Sequence, residues 1–247
     1  MLHTIIHITD THLGDPTALD RGADPKANLE AILEDIAGNA DDIVITGDLG
    51  STEDLPWFFE KMQAYKPGFK ITLGNHDTFS EVMEYYKNTP TSGNDELYYS
   101  REDEFYKYIF LDSSSGTVSS PQLEWLKNEI NTLKKIIVFI HHPVLGFTTG
   151  MDMIYPLQNR EAVNEILQHS RNEVTIFCGH YHMPDKRQDG KITQYITPSV
   201  AFQVNKNSKT IEINTSSFAY RIITLEENSI HTKLVTNFYD YFSKKTG

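Results

Sequence analysis

The sequence predicts an α/β domain, and three observations carry that reading. Short apolar runs rich in Ile, Val and Phe recur through the first three quarters of the chain. Amphipathic patterns at helical spacing lie between many of them. Polar clusters fall where the apolar runs end. Strands that alternate with helices form βαβ units, whose parallel strands are covered on both faces and therefore read as continuous apolar runs.

Taken in order, Thr4–Thr9 is the first predicted strand, and Asn28–Ala37 (NLEAILEDIA) the first helix, with apolar residues at helical spacing. Asp42–Thr46, Lys70–Leu73 and Lys107–Leu111 are the next strand-like runs. Ser120 followed by Pro121 reads as an N-cap with proline in the first turn, opening the helix PQLEWLKNEINTL. Ile136–Ile140 is a strand. Gly146–Pro156 is then a long loop and a candidate substrate cap, and the stretch to Asn159 names no substrate. Arg160–Gln168 (REAVNEILQ) is a third amphipathic helix, and Val174–Cys178 a further strand. Beyond Gly179 the texture changes: KITQYITPSVAFQV, TIEINTSSFAYRIITL and SIHTKLVTNFY are strand-like, and are expected to form an antiparallel closing section. No internal repeat and no Pro/Gly/Ser-rich linker divides the chain, so residues 1–247 are expected to form a single domain.

Composition narrows the function. The 34 acidic and 22 basic residues give a formal charge of -12, which disfavours a broad phosphate-binding surface and hence a nucleic acid polymer as partner. A small anionic substrate stays open, because a bound metal can invert the local field. The single cysteine, Cys178, permits no internal disulfide and is expected to fill core space. MLHTIIHITDTH has no basic region or cleavage site of a signal peptide, and no run approaches the roughly 18 apolar residues of a membrane span. The expectation is a soluble cytoplasmic protein with no membrane partner; no feature of the sequence specifies an oligomeric state.

The chemistry sits in ITDTH, ITGDL, TLGNHD, FIHHP and FCGHYH, each where a strand ends and the chain turns. In open α/β sheets ligands gather outside the carboxyl ends of strands, so these segments can converge. Asp10 and His12, like His180 and His182, are one residue apart, a spacing that places both side chains on one side of an extended chain. Asp48, Asn75 and His141 add a carboxylate, an amide oxygen and an imidazole. Such mixed donors suit Mn, Fe or Zn, and seven of them are about right for two ions sharing a carboxylate. A lone Asp-x-His is more often a turn than a metal site, and a lone Gly-x-His is equally ordinary. Together, each at a strand end, they are not ordinary, and GNHD is costly to bury unless it coordinates or hydrogen-bonds. His142 is read as lining the pocket or supporting His141 from behind, with support preferred. His3, His7, His169 and His231 fall outside the clusters and read as packed or surface histidines, and Tyr85, Tyr86, Tyr98 and Tyr99 as packing.

The series Asp-x-His, Gly-Asp, Gly-Asn-His-Asp, His and Gly-x-His resembles the signature of the calcineurin-like metallophosphoesterases. The further run of ITDTHLG, TGDL, GNHD, LDSSSG, SPQLEWL, HHPV, GHYH and TPSVAF, over about residues 4–225, is similar to their class III cyclic-nucleotide phosphodiesterase group. The resemblance implies a four-layered α/β/β/α sandwich with a dinuclear site at the strand ends. It implies that Asp10, His12 and His182 hold one metal, that Asn75, His141 and His180 hold the other, and that Asp48 bridges them. A metal-bridging hydroxide would attack phosphorus in line. His76 would stabilise and protonate the leaving alkoxide, and Asp77 would orient and charge its imidazole. The longer Gly-Asp-x-His-Gly and Gly-Asp-x-Val-Asp-Arg-Gly signatures of protein phosphatases are missing.

The function so implied is hydrolysis of a small anionic phosphodiester, with 3′,5′-cyclic AMP as the candidate, using two divalent or trivalent ions of Mn, Fe or Zn. A glycerophosphodiesterase, a nucleotide pyrophosphatase or a phosphomonoesterase would use the same site. A non-catalytic metal-binding scaffold is the alternative of another class, and such a scaffold would be free to lose His76.

Overall fold

The computed structural model describes residues 2–65, 68–87, 95–208 and 210–238. Tyr239, the last residue of the final predicted strand, lies outside them. Two large mixed sheets face one another. The first is built from β1 (His3–Ile8), β2 (Asp42–Thr46), β3 (Phe69–Thr72) and two late strands, β12 (Ser217–Leu225) and β13 (Ile230–Phe238). Its order is β13-β12-β1-β2-β3, with β1, β2 and β3 parallel and β12 running antiparallel to β1. The second is built from β4 (Tyr99–Glu102), β5 (Tyr106–Phe110), β6 (Lys135–Phe139), β7 (Val174–Cys178), β8 (Asp185–Asp189) and β9 (Ile192–Ile196). Its order is β4-β5-β6-β7-β9-β8. A short pair, β10 (Gln203–Val204) and β11 (Ile213–Asn214), stands apart.

Strand β6 shows why the molecule is layered. Side chains alternate along a strand, and here both faces are apolar. Ile136, Val138 and Ile140 enter a core with Leu126, Val163 and Leu167, from α5 (Ser120–Glu129) and α7 (Arg160–Gln168). Ile137 and Phe139 point the other way, into a core shared with the first sheet. That core also takes Leu29 and Ile32 from α2 (Pro25–Asp35), and Phe58, Phe59 and Met62 from α3 (Leu55–Ala64). The α/β/β/α order expected from the family resemblance follows. Across the inner face of the second sheet runs a ladder of rings, one each from β4, β5, β6, β7 and β9: Tyr99, Phe110, Phe139, Phe177 and Tyr195, each stacked on the next at 4.4–5.7 Å between centroids.

The structure amends several sequence expectations. The first long helix begins at Pro25, capped by Asp24, whose carboxylate accepts from the Ala27 amide. Ser119, not Ser120, caps α5, accepting from the Gln122 amide, and α5 ends at Glu129. The section after Gly179 is not wholly antiparallel, because β9 runs parallel to β7 and only β8 reverses against it. The loop predicted at Gly146–Pro156 contains a short helix, α6 (Gly150–Ile154). Two other short helices, α1 (Pro16–Leu19) and α4 (Phe79–Tyr85), were not expected. No helix of the described residues is long and apolar enough to cross a membrane.

Candidate metal centre

Each cluster singled out in the sequence leaves the carboxyl end of a strand. Asp10 and His12 follow β1, Asp48 follows β2, and Asn75, His76 and Asp77 follow β3. His141 and His142 follow β6, and His180 and His182 follow β7. The two sheets therefore bring their ends to one rim. Asp10, His12, Asp48 and His182, all buried, each place a ligand atom within 4.8 Å of the others, and Asp48, His141 and His180 do the same. Asp48 belongs to both groups. Asn75 and His76 are exposed and line the same cavity.

These loops turn sharply. Asp10, His12, Asp48, His180 and His182 have φ of 53°, 41°, 53°, 69° and 51°, in the left-handed region, and Asp95 is the one other non-glycine residue there among those described. Such backbone costs about 1–2 kcal/mol per residue and persists where the surroundings over-determine it, which is typical of functional sites.

The hydrogen bonds fix which atoms face inward. His141 Nδ1 donates to the Thr46 carbonyl at 2.6 Å, His180 Nε2 to the Tyr155 carbonyl at 2.9 Å, and His182 Nδ1 to the Phe202 carbonyl at 3.0 Å. His12 Nδ1 faces the Asp15 carboxylate at 3.3 Å. A carbonyl only accepts, so the nitrogen facing it carries the hydrogen and the other presents a lone pair. Those lone pairs meet: His12 Nε2 lies 3.1 Å from His182 Nε2, and His141 Nε2 lies 3.2 Å from His180 Nδ1. Neither pair is tenable without positive charge at the contact. The Asp48 Oδ2 atom sits between the pairs, 3.4 Å from His12 and 3.2 Å from His141, and Asp10 Oδ1 is 3.2 Å from His182. The donor set thus fits cations, with each histidine held from behind as metal-ligating histidines are.

Electrostatics give the same picture. Burial alone would lower His141, but the charges of Asp48 and Asp10 outweigh it and raise it to about 10. Against their own burial, Asp48 is held well down chiefly by His141, and Asp10 chiefly by His182. His180, buried beside a charged His141, is pushed down to about 3. The site gathers positive charge around two carboxylates even without a metal. His142 is held well down by burial; its ring packs 4.0 Å from that of His180, and its Nδ1 meets the Ser113 hydroxyl at 2.9 Å.

Asp77 departs from expectation. Its Oδ2 accepts from the amides of Asp48 and Gly74 and its Oδ1 from that of Leu49, each at 2.8 Å. Both oxygens are thereby committed to backbone, and among the described residues no bond joins it to His76. The His76 ring lies instead 5.1 Å from that of His12, and its amide donates to Asp48 Oδ1 at 2.9 Å. The expected Asp77–His76 pair is corrected accordingly.

Over the site lies a cavity of about 350 Å³ whose lining mixes polar and apolar side chains. The polar ones include His12, Asp48, Asn75, His76, His180 and His182. The apolar ones are Met151 and Tyr155, from α6 and its end, with Phe202, Val204, Ile211 and Ile213, and the Phe202 ring packs 4.4 Å from that of His182. None of its described lining residues is Lys or Arg. Helix α6 is docked: Asp152 accepts from Arg160 at 2.8 Å, from the Phe147 amide at 3.0 Å, and from the Tyr181 hydroxyl. Larger clefts along residues 144–164 and 185–189 contain none of the candidate ligands.

Sequence reasoning missed Asp15, three residues beyond His12, and the carbonyls of Thr46, Tyr155 and Phe202. A carboxylate that close to a candidate ligand was a usable signal for the first. The carbonyls carry none. His7 is also more than filler: fully buried between the sheets, it bonds Thr197 through Nδ1 at 2.8 Å and Thr46 through Nε2 at 2.9 Å.

Residues 3–184 match the calcineurin-like phosphoesterase family. A probable cyclic nucleotide phosphodiesterase of Fibrobacter succinogenes is 31% identical over 233 residues, covering 92% of this chain and 91% of that relative. A probable glycerophosphodiester phosphodiesterase of Arcobacter nitrofigilis is 27% identical over 216 residues, covering 81% and 79%. A dimetal phosphatase from Danio rerio superposes with a TM-score of 0.66 at 14% identity, over 93% of this chain and 98% of that one.

Proposed function

The chain belongs to the calcineurin-like phosphoesterase family and is a metal-dependent phosphodiester hydrolase, and from that premise we propose that its substrate is a small phosphodiester carrying a flat aromatic base, 3′,5′-cyclic AMP foremost. The observation that carries this reading is the mixed lining of the cavity. It combines the candidate metal donors, which suit a phosphate, with Met151, Tyr155, Ile211 and Ile213, which suit a flat apolar group. With no Lys or Arg among its described lining, the cavity is poorly suited to a second phosphate, which disfavours nucleotide pyrophosphates.

In this reading Asp10, His12 and His182 hold one ion, Asn75, His141 and His180 the other, and Asp48 is shared. When bound, two such ions supply positive charge to the phosphate and make water available as a nucleophile near neutral pH. Mn, Fe and Zn all suit this donor set. His76, exposed at the cavity wall, hands a proton to the departing oxygen. Thr46, Tyr155, Phe202 and Asp15 keep the imidazoles in the tautomer that leaves their inner nitrogens free. We also read residues 1–247 as one domain, because β12 closes onto β1 and so ties the late chain to the first strand.

A glycerophosphodiester is the second reading, favoured by Thr17, whose hydroxyl on the cavity lining would suit a glycerol, and by the similarity to a probable glycerophosphodiester phosphodiesterase. The test is a panel under saturating manganese: cyclic AMP, 2′,3′-cyclic nucleotides, glycerophosphodiesters and nucleotide sugars. Cyclic AMP is expected to show the highest kcat/KM, and chelation to abolish all turnover. A glycerophosphodiester turned over about tenfold more efficiently would replace the first reading with the second.

A further inference from the structure

Strands β2 and β3 are parallel neighbours, with Thr46 beside Thr72, so the loops that follow them leave the sheet together. Turns at strand ends strand amide groups that need acceptors. Here each loop supplies a carboxylate to the other. Asp77 takes the amides of Asp48 and Leu49 from the β2 loop, along with Gly74 from its own, all at 2.8 Å. Asp48 takes the His76 amide through Oδ1 at 2.9 Å. The exchange leaves Asp48 Oδ2 free to face His12 and His141 at 3.4 and 3.2 Å. The loops touch closely enough that a Cβ on Gly74 would fall 2.5 Å from the Asp48 amide nitrogen, so there is no slack through which Asp48 could settle elsewhere.

We propose that Asp77 is a positioning residue for Asp48: by gripping the 48–49 backbone it sets where the shared carboxylate lies, and it acts on the reaction through metal binding rather than through His76. The inference rests on the reading of Asp48 as the ligand common to both ions. It assigns the acidic residue of GNHD to the metal floor and leaves His76 to work without a carboxylate partner.

Asp77→Asn keeps the shape but offers one acceptor oxygen where two are used, and turns an amide N–H towards a backbone N–H. Manganese binding to the metal-free protein, followed by calorimetry, is expected to show at least one of two equivalents weakened roughly 10–100-fold. At saturating manganese, the dependence of kcat on the leaving-group pKa of aryl phosphodiesters should match the parent. His76→Ala should do the reverse, keeping both equivalents and steepening that dependence. The proposal is overturned if Asp77→Asn binds both equivalents as the parent does, whether it then copies His76→Ala kinetically or merely lowers the unfolding temperature in chelator. Should Asp77→Asn not fold, Asp77→Glu, which retains the carboxyl group but displaces its oxygens, is read in the same way. Asp48→Asn separates the premise from the proposal. If it leaves both equivalents tight, the shared-ligand reading fails irrespective of Asp77.

Discussion

Replacing Gly47 by alanine tests how the two loops are held. Gly47 has φ +81°, and an added Cβ would lie 2.2 Å from Gly74 N, 2.6 Å from Gly74 Cα and 2.7 Å from Leu73 C. All three are backbone atoms, so no rotamer relieves the clash. Left-handed backbone costs an alanine about 1–2 kcal/mol, and overpacking of a tight site about 1–3 kcal/mol more. Gly38 is the matched control: its φ is +76°, and nothing lies within 4 Å of its added Cβ. Gly38→Ala should therefore show the conformational cost alone, and Gly47→Ala should exceed it by about 1–3 kcal/mol. Urea unfolding of the metal-free proteins, at matched slopes, measures the difference. Gly47→Ala should also bind manganese more weakly, since relief of the clash must move either Asp48 or Gly74. Equal costs for the two variants, with manganese affinity unchanged, would refute the close approach as a determinant of the site.

His76→Ala is expected to lower kcat by about 10²–10⁴-fold, the usual worth of a positioned acid, while both manganese equivalents remain; a lost equivalent would show that the ring holds metal. His7, pushed down to about 3 by burial from an unfolded value of 6.5, is neutral in the fold. Its contribution is whole above pH 6.5 and is lost as pH falls from there towards 3, because the unfolded chain takes the proton first. Between pH 6 and 4.5 the parent should lose at most about 1.4 kcal/mol per pH unit more than His7→Gln in urea unfolding. Coincident slopes would mean that His7 titrates normally between the sheets.

Much of the layout was legible because parallel strands, covered on both faces, are largely apolar, as the runs Ile43–Ile45 of β2, Ile136–Phe139 of β6 and Ile176–Cys178 of β7 are. The polar residues at their ends then stood out against that background, and they lie at one rim. What escaped has identifiable causes. Helix α3 buries Leu55, Phe58, Phe59 and Met62 at helical spacing, a pattern that was present but unused. Strand β8, DKRQD, is an edge strand with mostly exposed residues and no apolar signal at all. β9 could not be told from an antiparallel strand, since pairing direction depends on the path of the chain and not on the residues of the strand. The role expected of Asp77 failed for a similar reason. Adjacency in GNHD suggested a side-chain pair, while the turn sends Asp77 back onto backbone amides, which no residue type advertises. The carbonyls behind His141, His180 and His182 are invisible on the same ground.

The Tyr155 carbonyl has a consequence for anyone wishing to redirect this enzyme. It belongs to a segment that lines the cavity, and it also holds the imidazole of His180. In the proposed reading, recognition and catalysis therefore share one stretch of backbone. On that reading, a transplanted or shortened 146–157 segment would change the preferred substrate and disturb the candidate ligand His180 in the same stroke. Side-chain exchanges at Met151, Ile211 and Ile213 leave that carbonyl alone, and on the same reading they mark the route by which selectivity would drift while the chemistry stays intact.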